Sequence, residues 1–458
     1  MKNKYLFCLL VGAYVELAHA QGYQVDELSV RRLGDAFSGG AASANDASTA
    51  HYNPAGLTHL RQIELAGGVT ALSNRSTFSG QAVALDPADT AGGGTGMAPI
   101  SGGDRAVSET RALIPSVYLA VPLDAATVMG VILNTPFGSG TDYPMDDVTR
   151  YQGARSDVQD VRLGLSVGRR LNSQISLGGA LLADRLTGEI ENAIPSSAFC
   201  SLLESFSSAG TCSQAGLGPA GSARDDGRVK LSSDDVALGY TLGALFDLSD
   251  STRVGVAYKS KIKHSLEGKA DFSMPANAAS LLSPFSPLLR THREHASLNL
   301  TTPASLSLSA FHQYDSGFSL QADVTWTQWS VFNTLTVDGV EETLLDQPQD
   351  WKNNWRVAVG GDYQLDSAWA LRSGLAWDQS PVKKARRSLS FPLDDYRAIS
   401  VGASYSFSSS WTLDLAAQKT LNFDSNIEEG SLMDDGARLD GRVRSQSWSV
   451  AAGVRWKL

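Results

Sequence analysis

Ser447-Trp448-Ser449-Val450-Ala451-Ala452-Gly453-Val454-Arg455-Trp456-Lys457-Leu458 closes the chain, and its alternation decides the fold. Residues two apart in a strand point the same way. Trp448, Val450, Ala452, Val454, Trp456 and Leu458 therefore share one face, and Ser447, Ser449, Ala451, Gly453, Arg455 and Lys457 the other. One face suits lipid and the other a polar lumen, as in a transmembrane β-strand. The pattern recurs in Phe318, Leu320, Ala322, Val324 and Trp326 against Ser319, Gln321, Asp323 and Thr325, and again in Leu238, Tyr240, Leu242, Ala244, Phe246 and Leu248. Trp369, Leu371, Leu375 and Trp377 put aromatics near both ends of one strand, as interfacial girdles require. A water-soluble sandwich also alternates, but it needs neither a leader nor one-sided loop lengths.

Working outward, the joints between such strands alternate in length. The short ones read Leu123-Asp124-Ala125-Ala126, Leu171-Asn172-Ser173-Gln174, Asp247 to Thr252, Gln313 to Gly317, Leu365-Asp366-Ser367-Ala368 and Phe407 to Ser410. Between them lie long polar loops, roughly 76–108, 138–153, 191–226, 269–294, 338–351, 380–394 and 422–441. Six turns and seven loops predict fourteen strands, an all-β, 14-stranded antiparallel transmembrane β-barrel over residues 61–458. Tight turns face the periplasm and long loops the outside, which places the chain in the outer membrane of a Gram-negative bacterium.

Residues 1–20 carry Lys2 and Lys4, an apolar run from Tyr5 to Val15, and Ala18-His19-Ala20, the pattern of a signal peptide. Beyond it no apolar run is long enough for a transmembrane helix. The net charge is −10; the leader contributes +1 (Lys2 and Lys4 against Glu16), leaving −11. That balance argues against nucleic acid as a partner. Of three cysteines, Cys8 leaves with the leader, and Cys200 and Cys212 are expected to pair in an oxidising compartment.

Residues 21–60 break the rhythm. The small-residue stretch Leu33-Gly34-Asp35-Ala36-Phe37-Ser38-Gly39-Gly40 and the run Asn45-Asp46-Ala47-Ser48-Thr49-Ala50-His51-Tyr52-Asn53-Pro54-Ala55-Gly56 offer short helices and turns, with Asp46 as N-cap and Pro54 as terminator. Such a compact segment ahead of a wide barrel is expected to fill its lumen as a hatch.

The chain resembles the FadL family of outer-membrane transporters for long-chain fatty acids and aromatic hydrocarbons. The likeness covers nearly all the mature sequence. It is carried by Asn53-Pro54-Ala55-Gly56, by Trp326-Thr327-Gln328-Trp329-Ser330-Val331-Phe332, and by Asp350-Trp351-Lys352 through Trp355-Arg356, Gly360, Leu371-Arg372-Ser373-Gly374, Asp378-Gln379-Ser380-Pro381-Val382, Phe391-Pro392 and Arg397. Leu458 stands where the family ends on an aromatic.

The resemblance implies a passive, monomeric importer of hydrophobic small molecules, most of all long-chain fatty acids, with aromatic hydrocarbons as the alternative. A ligand would land on extracellular loops, enter a pocket in the barrel and leave sideways into outer-membrane lipid beside a kinked third strand. Here that strand ends in Asn134-Thr135-Pro136-Phe137-Gly138. Pro136 cannot donate to a ladder and Gly138 permits a bend, so either a gate or a plain strand end is consistent with these residues. The resemblance implies that the hatch motif Asn53, Pro54 and Ala55 packs near this kink. Phe199, Leu202, Leu203 and Phe206 in one long loop, and Leu281, Leu282, Phe285, Leu288 and Leu289 in the next, recur at helical spacing, although Pro284 and Pro287 limit a regular helix. These faces either meet as a landing groove or form a small core in each loop.

Ligand identity rests on the pocket. Fatty-acid-binding members carry basic groups late in the fifth strand and before the tenth; here those stretches read Ile190-Glu191-Asn192 and Leu345-Asp346-Gln347. Arg185 or Lys352 would have to substitute, while an uncharged pocket favours an aromatic hydrocarbon. Tyr23, at the mature N-terminus, is expected to touch the occupant. No G-x-S-x-G, H-E-x-x-H or Walker loop occurs, Gly92-Gly93-Gly94-Thr95-Gly96 lacking the required Lys, so neither an enzyme nor a cofactor is expected. A general diffusion porin is disfavoured by the hatch, which a conductance trace would detect.

Overall fold

In a computed structural model, residues 22–90, 94–286, 288–340, 342–430 and 436–458 are described. The leader at 1–20 with Cys8, the glycines Gly92 and Gly93, and Pro287 lie outside the described residues. Fourteen antiparallel strands form one sheet that closes on itself. The first half comprises β1 (Glu64–Leu85), β2 (Arg105–Pro122), β3 (Thr127–Asn134 and Gly138–Asp142), β4 (Arg155–Arg170), β5 (Ile175–Ile194), β6 (Gly227–Asp247) and β7 (Thr252–Lys259 and Ile262–Ser273). The second comprises β8 (His292–Thr302 and Ser305–Gln313), β9 (Phe318–Thr327 and Thr334–Asp338), β10 (Thr343–Pro348 and Asn354–Gln364), β11 (Trp369–Asp378), β12 (Tyr396–Ser406), β13 (Trp411–Glu429) and β14 (Ala437–Lys457). Each pairs with its neighbours in order, and β14 returns to β1 from Glu64↔Lys457 to Ala84↔Ala437.

Large apolar side chains face outward from these strands: Leu165, Leu181 and Leu238 are 60%, 75% and 78% exposed. In water such a surface would be a liability; in lipid it is the solvated face. Trp411 stacks on Trp456 at 5.3 Å, and Trp369 lies against Tyr405 at 4.8 Å, beside the short turns. Among the described residues no helix is long and apolar enough to cross a membrane. The strands do the crossing.

The strands run further than the expected loop limits at 76 and 441. Above the membrane the two faces exchange character. Phe78, Ala82 and Ala84 of β1 point inward with Leu439 and Val443 of β14 into an apolar core, while Ser79 and Gln81 face out. The lipid-side alternation therefore stops, yet the backbone ladder continues to Ala84↔Ala437.

Residues 22–60 sit inside this wall, held by polar groups of its inner face. Arg356 Nε lies 3.0 Å from Asp26 and its guanidinium donates to Ala36 O at 2.7 Å. Arg253 donates to Ser43 O, Arg31 pairs with Asp362 at 3.1 Å, and Ser449 donates to Glu27. Buried ion pairs gain little net energy against their desolvation, but they fix one arrangement over others. Two consecutive left-handed residues, Ala36 (φ 56°) and Phe37 (φ 57°), turn the chain within the small-residue stretch where short helices and turns were expected.

Candidate functional site

Tyr23, 2% exposed, is the pivot of an aromatic cage. Its ring lies 4.8 Å from Trp329, 5.7 Å from Phe332 and 5.8 Å from Phe137, and its hydroxyl donates to Thr301 O at 2.9 Å. Trp351 and Phe391 continue the cage at 5.1 Å from each other. Trp329 can reach inward because β9 breaks into a single 3₁₀ turn, Trp329–Val331. Above this cage opens a cavity that is partly open to solvent. Its lower wall is apolar (Leu186, Leu266, Leu300, Phe332), and its upper wall carries Gln152, Asn192, Gln347, Ser388 and Ser390.

The lumen beneath the cage is polar. Lys259 Nζ lies 2.8 Å from His51 Nε2, His51 Nδ1 is 3.1 Å from Asn134 Nδ2, Asn134 donates to the Tyr118 hydroxyl, and Tyr118 donates to Leu28 O at 2.6 Å. An apolar ligand moving straight down would strip or displace these groups.

The third strand is interrupted. Asn134 faces Arg162 and Gly138 faces Gln159, so Thr135, Pro136 and Phe137 oppose only two residues of β4. On its other side the ladder to β2 ends at Val117↔Leu133. Continuing that register would bring Thr135 opposite Pro115, which has no N–H to give. The hatch supplies part of what is missing: Val25 N donates to Pro136 O at 2.9 Å, Gly138 N donates to Tyr23 O at 2.7 Å, and Gln24 bridges Phe137. Residues 23–25 thus act as a short inserted strand at the break. The cage and the break share Tyr23 and Phe137.

The motif Asn53-Pro54-Ala55 is placed elsewhere, correcting the expectation that it lies at the kink. It sits against Gly168 of β4, Gly178 of β5 and Gly243 of β6, where any Cβ would meet the motif. Gly168 pairs with Val128, at the opposite end of β3 from Pro136. The Asn53 amide donates to Ala41 O and Ala244 O, and its Oδ1 accepts from Ala55 N, capping the 3₁₀ turn Pro54–His59. Asn53→Ala removes three hydrogen bonds, two buried and one part-buried, roughly 3 kcal/mol of local stability at about 1 kcal/mol each. Amide exchange across residues 40–60 should accelerate accordingly, and unchanged protection would mean that the glycine seats alone hold the motif.

The loops at 191–226 and 269–294 do meet. Helices Ser196–Glu204 and Ala276–Leu282 pack together, and Phe199, Leu203, Leu281 and Leu282 join one apolar cluster. That cluster reaches Leu231, Leu298 and Leu345, which line the cavity, so the loop core and the cavity are continuous. Leu202 lies outside the cluster, while Phe206 and Phe285 stand exposed at the rim. A Cys200–Cys212 disulfide clamps the first of these loops.

Two expected pocket residues are misplaced. Arg185 belongs to the outer face: it pairs across β4 with Val161, another outward residue, and lies 3.3 Å from Asp234 in the open. Lys352 is exposed, and its backbone N–H donates to Pro381 O. The stretches at 190–192 and 345–347 do reach the cavity through Ile190, Asn192, Leu345 and Gln347, all uncharged. Arg155 and Lys269 touch it, but strand parity turns both side chains outward, each 3.9 Å from an acid, Glu189 and Asp271. Sequence reading missed Pro115, whose position opposite the kink needs the strand register, and Gln152, which looked like ordinary loop.

A family model described as outer membrane protein transport protein (OMPP1/FadL/TodX) matches residues 11–458. A long-chain fatty acid transport protein of Escherichia coli O6:H1 is 27% identical over 408 residues, covering 87% of this chain and 86% of that protein. A putative outer membrane protein of Neisseria meningitidis serogroup B is 29% identical over 427 residues, covering 89% and 88%. Among solved structures, a Pseudomonas aeruginosa FadL homologue superposes with a TM-score of 0.82 at 24% identity, covering 95% of this chain and 99% of that one. The toluene transporter TodX of P. putida superposes at 0.68 with 17% identity, covering 96% and 99%. Both likenesses carry the barrel fold.

Proposed function

We propose, from the premise that this chain belongs to the OMPP1/FadL/TodX family of outer membrane transport proteins, that it imports long-chain fatty acids by lateral release through the wall. At the coarser level it is an outer membrane transporter of hydrophobic compounds. One observation carries the finer reading: a mostly apolar cavity ends at the strand break, while the route below it is polar. Lateral exit keeps apolar surface away from water, at roughly 25 cal/mol for every Å². The apolar contact between the two large loops supplies an entrance from outside. The hatch, residues 21–60, stops the lumen, and its first residues close the break. Neither a cofactor nor energy coupling is invoked.

Uptake of an aromatic hydrocarbon is the second reading. What favours it is the Tyr23, Trp329, Phe332, Trp351 and Phe391 cage, together with the absence of an inward-turned Lys or Arg among the described cavity residues. Labelled oleate and labelled toluene, offered side by side to cells lacking their own hydrophobic-compound transporter, separate the two. Oleate uptake above the empty-vector control is the expected result. Toluene without oleate would replace the fatty acid reading, and neither would remove support for transport through this cavity.

A further inference from the structure

Below residues 23–25 lies a second chamber that borders the same break. Gln24, Val25, Pro136 and Phe137 line it together with Lys259 and His51, while Tyr23 lines the cavity above. Lys259 follows Gly255 and Ala257 on the inner face of β7: a Cβ at Gly255 would meet Ala41 of the hatch, and Ala257 is buried. Lys259 Nζ lies 2.8 Å from His51 Nε2 and 5.5 Å from the centre of the Tyr52 ring, and both of those residues line the chamber too. An ammonium has three protons to place, and a histidine nitrogen takes one at most. The arginines at this chamber are matched, Arg162 with Asp184 at 2.6 Å and Arg356 with Asp26 at 3.0 Å. Lys259 pairs with no carboxylate among the described residues.

This charge stands close to the break. His51 Nδ1 is 3.1 Å from the amide of Asn134, the last residue of β3 before the interruption. When residues 23–25 leave the break, the cavity above and the chamber below become continuous. An acyl chain can then pass through the wall into lipid, but a carboxylate cannot follow it without a large desolvation cost. We propose that Lys259 receives the carboxylate of an outgoing fatty acid on the lumen side of the break and holds the head while the chain passes. This rests on the lateral-release reading. It places selection for acids at the exit, since no described Lys or Arg turns into the cavity above.

The test is initial uptake of labelled oleate and labelled oleyl alcohol by cells carrying the wild type, Lys259→Met or Lys259→Arg, each barrel checked by its heat-modifiable shift. Methionine keeps an apolar stem without the charge. In Lys259→Met oleate uptake should fall at least about tenfold, the worth of one hydrogen bond to a charged group, while oleyl alcohol uptake holds. Lys259→Arg, which keeps the charge, should retain most of the oleate uptake. Wild-type oleate uptake by a folded Lys259→Met barrel would overturn the proposal. Equal loss of both ligands would also overturn it, assigning Lys259 to the packing of the hatch. Uptake of neither ligand by the wild type would bring down the lateral-release reading, and the proposal with it.

Discussion

Straightening β3 is expected to bring uptake of a long-chain ligand down to the empty-vector baseline while the barrel still folds. The variant removes Thr135 and carries Pro136→Val, leaving two residues opposite the two of β4 between Asn134↔Arg162 and Gly138↔Gln159. A valine N–H would then be available for the ladder that proline cannot join. The expected effect is large because the alternative exit is so costly. A long acyl chain exposes on the order of 500 Å², roughly 12 kcal/mol at 25 cal/mol per Å². That cost would be met in the polar lumen among Lys259, His51, Asn134 and Tyr118. Barrel integrity is read from the heat-modifiable shift on electrophoresis. Wild-type uptake by a correctly folded straightened variant would exclude the lateral route.

The second large effect concerns the hatch. Deleting residues 22–60 should convert a silent barrel into an open pore in a planar bilayer, because a fourteen-stranded wall encloses more space than its own side chains fill. The wall would lose its internal partners at Arg356, Arg253 and Ser449 together. Water can solvate all three, so the deletion should open the pore without collapsing it. A deletion variant that inserts and stays as silent as the full chain would mean that the wall or the loops, not the hatch, close the lumen.

The barrel was legible because lipid imposes a strict rule: every spanning strand alternates, and every second joint is short. That logic stops where lipid stops. At Ser76-Thr77-Phe78-Ser79 the strand continues, but its apolar face has turned inward, so a sequence reader sees a loop. The site was half legible. Pro136 announced a ladder defect by its chemistry, and Tyr23 was singled out by its place just after the expected leader. What closes the defect did not show, since Gln24 and Val25 carry no strand signature until a broken ladder offers them partners. The seat of Asn53-Pro54-Ala55 was equally hidden: Gly168, Gly178 and Gly243 lie on three strands, and only their register brings them to one place. Arg185 and Lys352 were chosen as charges near the two stretches where the resemblance expects basic groups, and strand parity and loop exposure place them outside.

The central claim is that residues 23–25 of the hatch close the break in β3 and must leave it for a ligand to pass. A cysteine at each end of the Gln24–Phe137 bridge tests this most directly. Facing bridge positions approach closely enough for a disulfide. With Gln24→Cys and Phe137→Cys both in place, oleate uptake should fall to the vector baseline when oxidised and recover on mild reduction, each single variant being insensitive to redox state. Equal uptake by the oxidised and reduced double variant, with the cross-link verified, would contradict the account.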